Sequence, residues 1–245
     1  TMVDTMVVGQ VAGVEALAAL GAVDFLMWVV TGISTGLTQG FSIQLSQYYG
    51  AKDFENLRKS LAHSYRLTAF IAAGVLILSQ SFASLVLTGL HTPSNIIGMS
   101  LLYLRIIFCG IPATAAYNMF ASALRAMGNS KTPLTAMIIA SVLNVSLDIL
   151  FVAGFGWGVA GAAIATVIAQ SFSAVYCFLI LRRIDIVHLT RADFMPASGM
   201  NARLMKLGIP VVFQNIIIGV GGLVVQYVIN GYGFLFVAGF TATNK

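Results

Sequence analysis

Apolar residues run along this chain in long blocks separated by short polar gaps. They do not follow the one-sided rhythm of helices half exposed to water. The blocks predict membrane-length helices over residues 23–48, 64–88, 97–121, 133–153, 159–181 and 207–229. A first helix, clipped, ends near residue 8, and 230–245 reads as a loop and the opening of an eighth helix. A bilayer core needs about 20 apolar residues per helix, and each full block supplies that length. Turn-forming clusters such as Gly128-Asn129-Ser130-Lys131-Thr132-Pro133 and Gly154-Phe155-Gly156-Trp157-Gly158 mark the joints. Within the blocks, Pro112 and Pro210 are expected to kink or loosen their helices. Gly32, Gly36 and Gly40, and again Gly158, Ala162 and Thr166, recur at four-residue spacing, which predicts close helix packing.

Charge turns this helical picture into a transmembrane one. Only 9% of the 245 residues are charged and 58% are apolar, with mean hydropathy +0.92. A soluble domain carries about 25% charged residues, so there are too few here to coat a surface. The basic residues are also unevenly placed. Lys52, Arg58, Lys59 and Arg66 follow the second block, Arg125 and Lys131 the fourth, and Arg182, Arg183, Arg191, Arg203 and Lys206 the sixth. Eleven of the thirteen Lys and Arg residues thus fall in alternate gaps, the bias that sets cytoplasmic loops. The net charge of +5 is explained by the membrane rather than by nucleic acid. The expected location is the cell membrane, crossed several times. Cys109 and Cys177 lie in apolar blocks without metal-ligand spacing and read as small core residues.

Among the eight acids, Asp53, Glu55, Asp185 and Asp193 read as solvated loop charges, and Glu15 and Asp24 fall in or near the first outer loop. Asp4 and Asp148 remain, both embedded in apolar sequence. An aspartate near a helix centre costs about 2.5–3.5 kcal/mol on insertion scales, so such residues usually face a bundle interior or a wet cavity and handle ions. Asn144 precedes Asp148 by four residues, on the same helix face. Thr166 on the next helix could add a hydroxyl. Asp4, Asn144, Asp148 and Thr166 would form an oxygen-rich pocket for a proton or sodium ion; hydrogen bonding between neighbouring helices is the simpler alternative. Thr31, Thr35, Thr38 and Ser42 make a polar stripe that either lines a cavity or glues helices together. Gln39, Gln44, Gln170, Gln214, Gln226, Tyr117 and Asn118 are further cavity candidates, so Thr35, Gln39, Ser42, Asn118, Gln170 and Gln214 are expected to contact a substrate.

Enzyme chemistry is not expected. Gly32-Ile33-Ser34-Thr35-Gly36 matches a nucleophile pattern, but that pattern needs a strand–turn–helix context. His63, His91 and His188 are expected at loops or helix ends, where none could serve as its base. An intramembrane aspartyl protease using Asp4 and Asp148 would be expected to carry a Gly-x-Gly-Asp signature, which is absent. There is no phosphate loop, zinc spacing or nucleic-acid motif, hence no expected cofactor beyond H+ or Na+ as coupling ion.

These residues resemble the multidrug and toxic compound extrusion (MATE) family, in its NorM/DinF-like branch. The likeness rests on Val3-Asp4-Thr5-Met6 with Gly9, Tyr48-Tyr49-Gly50-Ala51-Lys52-Asp53, Leu124-Arg125-Ala126-Met127-Gly128-Asn129-Ser130-Lys131-Thr132-Pro133, Asn144-Val145-Ser146-Leu147-Asp148 and Gly158-Val159-Ala160-Gly161. It implies an all-α membrane fold of two six-helix lobes and a secondary antiporter that exports drugs or other small organic, often cationic, compounds in exchange for H+ or Na+. It also implies that Asp4, Asn144, Asp148 and Thr166 form the amino-terminal lobe's coupling site. The expected partners are bilayer lipid, organic substrates and a second lobe. Residues 1–200 would form the amino-terminal lobe and 201–245 the start of the other, so the chain reads as an amino-terminal half. A lipid-linked oligosaccharide flippase of the same superfamily is the nearest rival, though it would call for cationic residues in the cavity. Val225-Gln226 then Gly231 echo Val3-Asp4 then Gly9, with Gln226 in place of the acid.

Overall fold

The computed structural model describes residues 2–195, 197 and 199–244, with the side chains of residues 2–4 and 244 outside that description. The described chain is helical throughout: α1 Met2–Val11, α2 Val14–Gly50, α3 Phe54–Gly89, α4 Ile97–Cys109, α5 Ile111–Ala126, α6 Lys131–Asp148, α7 Gly158–Arg182, α8 Met200–Asn230 and α9 Phe234–Asn244. A π-helical segment, Ile149–Gly154, continues α6, and two 3-10 turns, Asp185–Val187 and Arg191–Phe194, lie between α7 and α8. Large apolar side chains point outward, among them Phe70, 80% exposed, and Ile217, 70% exposed. An open apolar face of that extent suits lipid, while the helices satisfy their backbone polar groups internally.

The six apolar blocks all appear as helices, but several begin earlier than the hydropathy pattern predicts. α2 starts at Val14, so the expected outer loop over 9–22 shrinks to a break at residues 12–13. Glu15 sits in the first turn of α2, and Asp24 is ten residues inside the helix. α3 begins at Phe54, capped by Asp53, whose side chain accepts the Asn56 amide N–H at 3.2 Å. His63 therefore lies within a helix rather than at its end, and it is buried. The fourth block is a bent span: α4 and α5 meet at Gly110 at 47°, with Pro112 in the first turn of α5. α8 runs unbroken through Pro210. Of the cysteines, Cys177 is buried as expected, whereas Cys109 is exposed and accepts the Gln80 Nε2 amide at 3.3 Å.

α2 is the central strut, touching α3, α4, α5, α8 and α9. Its glycine row forms an antiparallel seam with α8. A Cβ on Gly36 would lie 2.8 Å from the Val212 backbone nitrogen, and one on Gly40 would overlap Gly208. Asn215 Nδ2 donates to Gly32 O at 3.1 Å across the same seam. The Gly-x-Ser-x-Gly pattern is thus a packing device, as small residues in membrane helices usually are. Gly158 departs from its expected role: it opens α7 with φ +52 and has nothing near its Cβ position. Gly161 makes the close approach there instead, against Phe151.

Candidate ion-coupling site

α6 and α7 pack side by side, and α1 packs against both and against the π segment. Asp148 is the last residue of α6 and is completely buried. Asn144, one turn earlier, is 4% exposed, and its Nδ2 lies 3.5 Å from Thr166 Oγ1 on α7. Thr166 Oγ1 in turn donates to Ala162 O at 3.0 Å, leaving its lone pairs for Asn144 or a cation. Asn144 and Thr166 therefore meet, and Asp148 follows one turn along the same helix. Asp4 belongs to α1, but its side chain lies outside the described residues.

Above Asn144 and Thr166 opens a cleft of about 460 Å3, lined on its polar side by Tyr117, Ser141, Gln170 and Ser173. Asp148 does not line it; the carboxylate sits one turn deeper, beneath the Asn144–Thr166 pair. Gln170 Oε1 is buried there without a hydrogen-bond partner. Ser141 and Ser173 were not singled out from sequence, although the signal existed. Ser141 precedes Asn144 by three residues and Ser173 follows Gln170 by three, so each shares its helix face. Directly after Asp148 the backbone widens into the π turn, a feature frequent at functional sites.

The remaining substrate candidates do not gather in this cleft. Asn118 Nδ2 donates to Thr35 Oγ1 at 3.2 Å, joining α5 to α2. Gln39 and Gln214 are exposed on α2 and α8, and the Ser42 hydroxyl donates to Gln39 O at 2.7 Å. The hydroxyls of Thr31, Thr35 and Thr38 likewise donate to their own helix, to Met27 O, Thr31 O and Ser34 O. Gln226 is 1% exposed and donates to Asn230 Oδ1 at 2.8 Å, and Asn230 donates to Leu90 O at 2.8 Å. Beside Gln226, a smaller cavity of about 250 Å3 is lined by Asp24, Trp28 and Thr241. Asp24 is thus a helix-embedded acid that the loop reading overlooked.

His63 holds a different region. Its Nδ1 lies 2.7 Å from Asn201 Oδ1 and its Nε2 3.1 Å from Met195 O. Arg66 donates to Phe194 O at 3.0 Å, and Arg58 approaches Asp193 at 3.9 Å. The segment between α7 and α8 is pinned to α3 by these contacts. At that end, outside the spans, Asp53 has its carboxyl held below the usual carboxylate range, first by the Asn56 side-chain hydrogen bond at 2.7 Å and then by the Asn56 amide.

Among the described residues, five helices long and apolar enough to cross a bilayer, with α4 and α5 as a sixth, bent span, define a polytopic α-helical membrane protein. Within that class, the MatE family model matches residues 1–150, and the chain belongs to that family. It is 31% identical over 243 residues to the probable multidrug resistance protein YpnP of Bacillus subtilis (strain 168), covering 99% of this chain and 54% of the relative. To the multidrug export protein MepA of Staphylococcus saprophyticus it is 25% identical over 215 residues, or 86% of this chain and 47% of the relative. The chain therefore spans about half the length of the curated relatives it matches. A solved inward-facing multidrug resistance MATE family transporter of the MOP superfamily superposes with a TM-score of 0.92. That match covers 98% of this chain and 55% of the other at 23% identity, which speaks to the fold. A MATE structure in a bent conformation superposes at 0.82, with 22% identity, 98% of this chain and 59% of the other.

Proposed function

We propose that the chain is the amino-terminal lobe, with the start of the second, of an ion-coupled antiporter that exports small organic, often cationic, compounds across the cell membrane. The observation that carries this reading is Asp148, a fully buried carboxylate in a membrane helix, capped by the Asn144–Thr166 contact. The names of the relatives, for multidrug resistance and export, support the substrate class.

In this reading H+ or Na+ binds at Asp148, with the Asn144 amide oxygen and the Thr166 hydroxyl as further ligands and Asp4 of α1 as the second carboxylate. A charged carboxylate in a dry setting is costly, so loading with a cation and release of that cation favour different packings of α1, α6 and α7. Antiport requires that the two packings bind the organic compound unequally, and the coupling can be no larger than that difference. The cleft beside Gln170 provides an approach to the ion site, and the π turn provides backbone that can regularise. The domain division follows: 1–200 carries the coupling site, and 201–245 contributes α8 to the contact with α2.

The test is efflux of a fluorescent organic cation from vesicles holding the full-length protein, with a proton gradient, a sodium gradient or neither imposed. Gradient-dependent efflux in one arm is expected. Efflux indifferent to both gradients would overturn the antiport reading.

A further inference from the structure

A second groove opens at the surface between α3 and α5, with no α6 residue in its lining. Tyr65, Thr68, Ala72 and Leu76 of α3 form one wall, and Pro112 and Met119 of α5 face them across a cleft of about 390 Å3 that is almost wholly apolar. At its lower end it runs into a second cleft of about 370 Å3 between α3, the end of α7 and the following segment. The two clefts share Tyr65 and Phe178. Phe120 bridges them, 5.4 Å from the Tyr65 ring and 5.3 Å from that of Phe178. This second cleft is mixed, with Arg182 and His188 set among apolar residues such as Leu181 and Leu189.

The dimensions suit one lipid leaflet. Tyr65 to Leu76 is eleven residues of helix, about 16 Å at 1.5 Å each, close to half of a hydrocarbon core about 30 Å thick. The charged end lies on the side that the basic-residue bias assigns to the cytoplasm, where anionic lipid collects. Arg182 is exposed, and its guanidinium makes no hydrogen bond or ion pair among the described residues. Arg66 is bonded to the Phe194 carbonyl in the same wall. The acids at this end are Asp185, exposed and 3.7 Å from His188 on the solvent side, and Asp193, buried and already engaged by Thr190 and Arg58. Thr68, 6% exposed, belongs to the same wall, its hydroxyl buried without a hydrogen-bond partner.

We propose that this groove binds an anionic glycerophospholipid, its phosphate at Arg182 and one acyl chain along α3 and α5 toward Pro112. Charge selects the headgroup and the apolar channel selects a tailed molecule, so a soluble phosphate is not the ligand. The site is independent of the transport reading.

The test is native mass spectrometry of the full-length protein titrated with phosphatidylglycerol, with phosphatidylcholine of the same chains, and with glycerol phosphate. The expected result is retention of phosphatidylglycerol about fivefold over phosphatidylcholine, whose own ammonium offsets its phosphate, as one basic residue acting on a net anionic headgroup near a membrane surface provides, and no retention of glycerol phosphate. Arg182→Gln should abolish that preference, while Arg183→Gln, at the exposed neighbouring position, should preserve it. Ala73→Phe, on the exposed groove wall, should weaken both lipids together. Equal retention of the two lipids, retention of glycerol phosphate, or equal effects of the two arginine substitutions would overturn the proposal. Arg182 is a surface residue, so its variant decides the matter even if Ala73→Phe fails to fold.

Discussion

Replacing Gly40 by alanine adds a single methyl group where the α2 and α8 backbones approach most closely in their seam. That methyl would lie 2.6 Å from both the Gly208 nitrogen and the Leu207 carbonyl oxygen, and nearer still to Gly208 Cα. Non-bonded heavy atoms settle at about 3.5–4.0 Å, so the helices must part by roughly 1 Å. The obstructing atoms are backbone, which cannot rotate aside. Overpacking of this kind costs about 1–3 kcal/mol. Parting the seam also strains the Asn215–Gly32 hydrogen bond, and such interhelical bonds average about 0.6 kcal/mol in membranes. A loss near 2 kcal/mol lowers the melting temperature by about 4–8 °C in a domain of this size. The control is Gly74→Ala on α3, where nothing lies within 4 Å of the added Cβ. There the same chemical change removes a helix-interior glycine and should stabilise by up to about 1 kcal/mol. Both variants can be melted in detergent by tryptophan fluorescence. The packing argument fails if Gly40→Ala melts with the wild type, or if both substitutions move the midpoint the same way.

Three further outcomes follow from other contacts. Replacing His63 by alanine removes both ties to Asn201 and Met195 and should expose Arg191 to trypsin well before the membrane helices are cut; unchanged cleavage would show that the ties do not hold the segment. Asp53→Ala should lower the melting temperature at pH 7 but not in strong acid. The folded carboxyl titrates below its ordinary value, so its contribution is present above about pH 4 and disappears as pH falls through the lowered value. A melting difference that is the same at both pH values would contradict this. Thr166→Val keeps the shape of the side chain but removes the hydroxyl facing Asn144; it should weaken the response of efflux to the driving gradient while leaving the melting temperature within about 2 °C of the wild type, and an intact response would exclude the hydroxyl from the site.

The transmembrane architecture was legible because a bilayer imposes length and composition so strongly. Every block of apolar sequence became a helix, and the glycine row at 32, 36 and 40 marked its packing face correctly. Helix starts were harder. The stretch over 9–22 is alanine-rich and only moderately apolar, so hydropathy left Glu15 in a loop and Asp24 at the margin of the next helix, although alanine is the best helix former. Asp24 was lost with it. The amphipathic start of α3, with Arg58, Lys59 and Arg66, concealed His63 for the same reason. The burial of Asn144 and Asp148 was legible through their i, i+4 spacing and through the improbability of a lone acid in apolar sequence, whereas Thr166 was only one hydroxyl on the next helix. Residues around them were harder to assign, because Gln39 and Gln214 are no less polar than Gln170, and only helix rotation decides which reaches the cleft. The π turn after Asp148 left no trace in sequence, since Ile149-Leu150-Phe151-Val152 is equally apolar in either helical form.

The central claim concerns what Asp148 does in its dry position between α6 and α7. Asp148→Asn keeps the size and hydrogen-bonding capacity of the side chain and removes its ability to exchange charge. In vesicles of the full-length protein, the account predicts that this variant still equilibrates an organic cation across the membrane, while an imposed proton or sodium gradient no longer drives its accumulation. Gradient-driven accumulation at the wild-type level would contradict it.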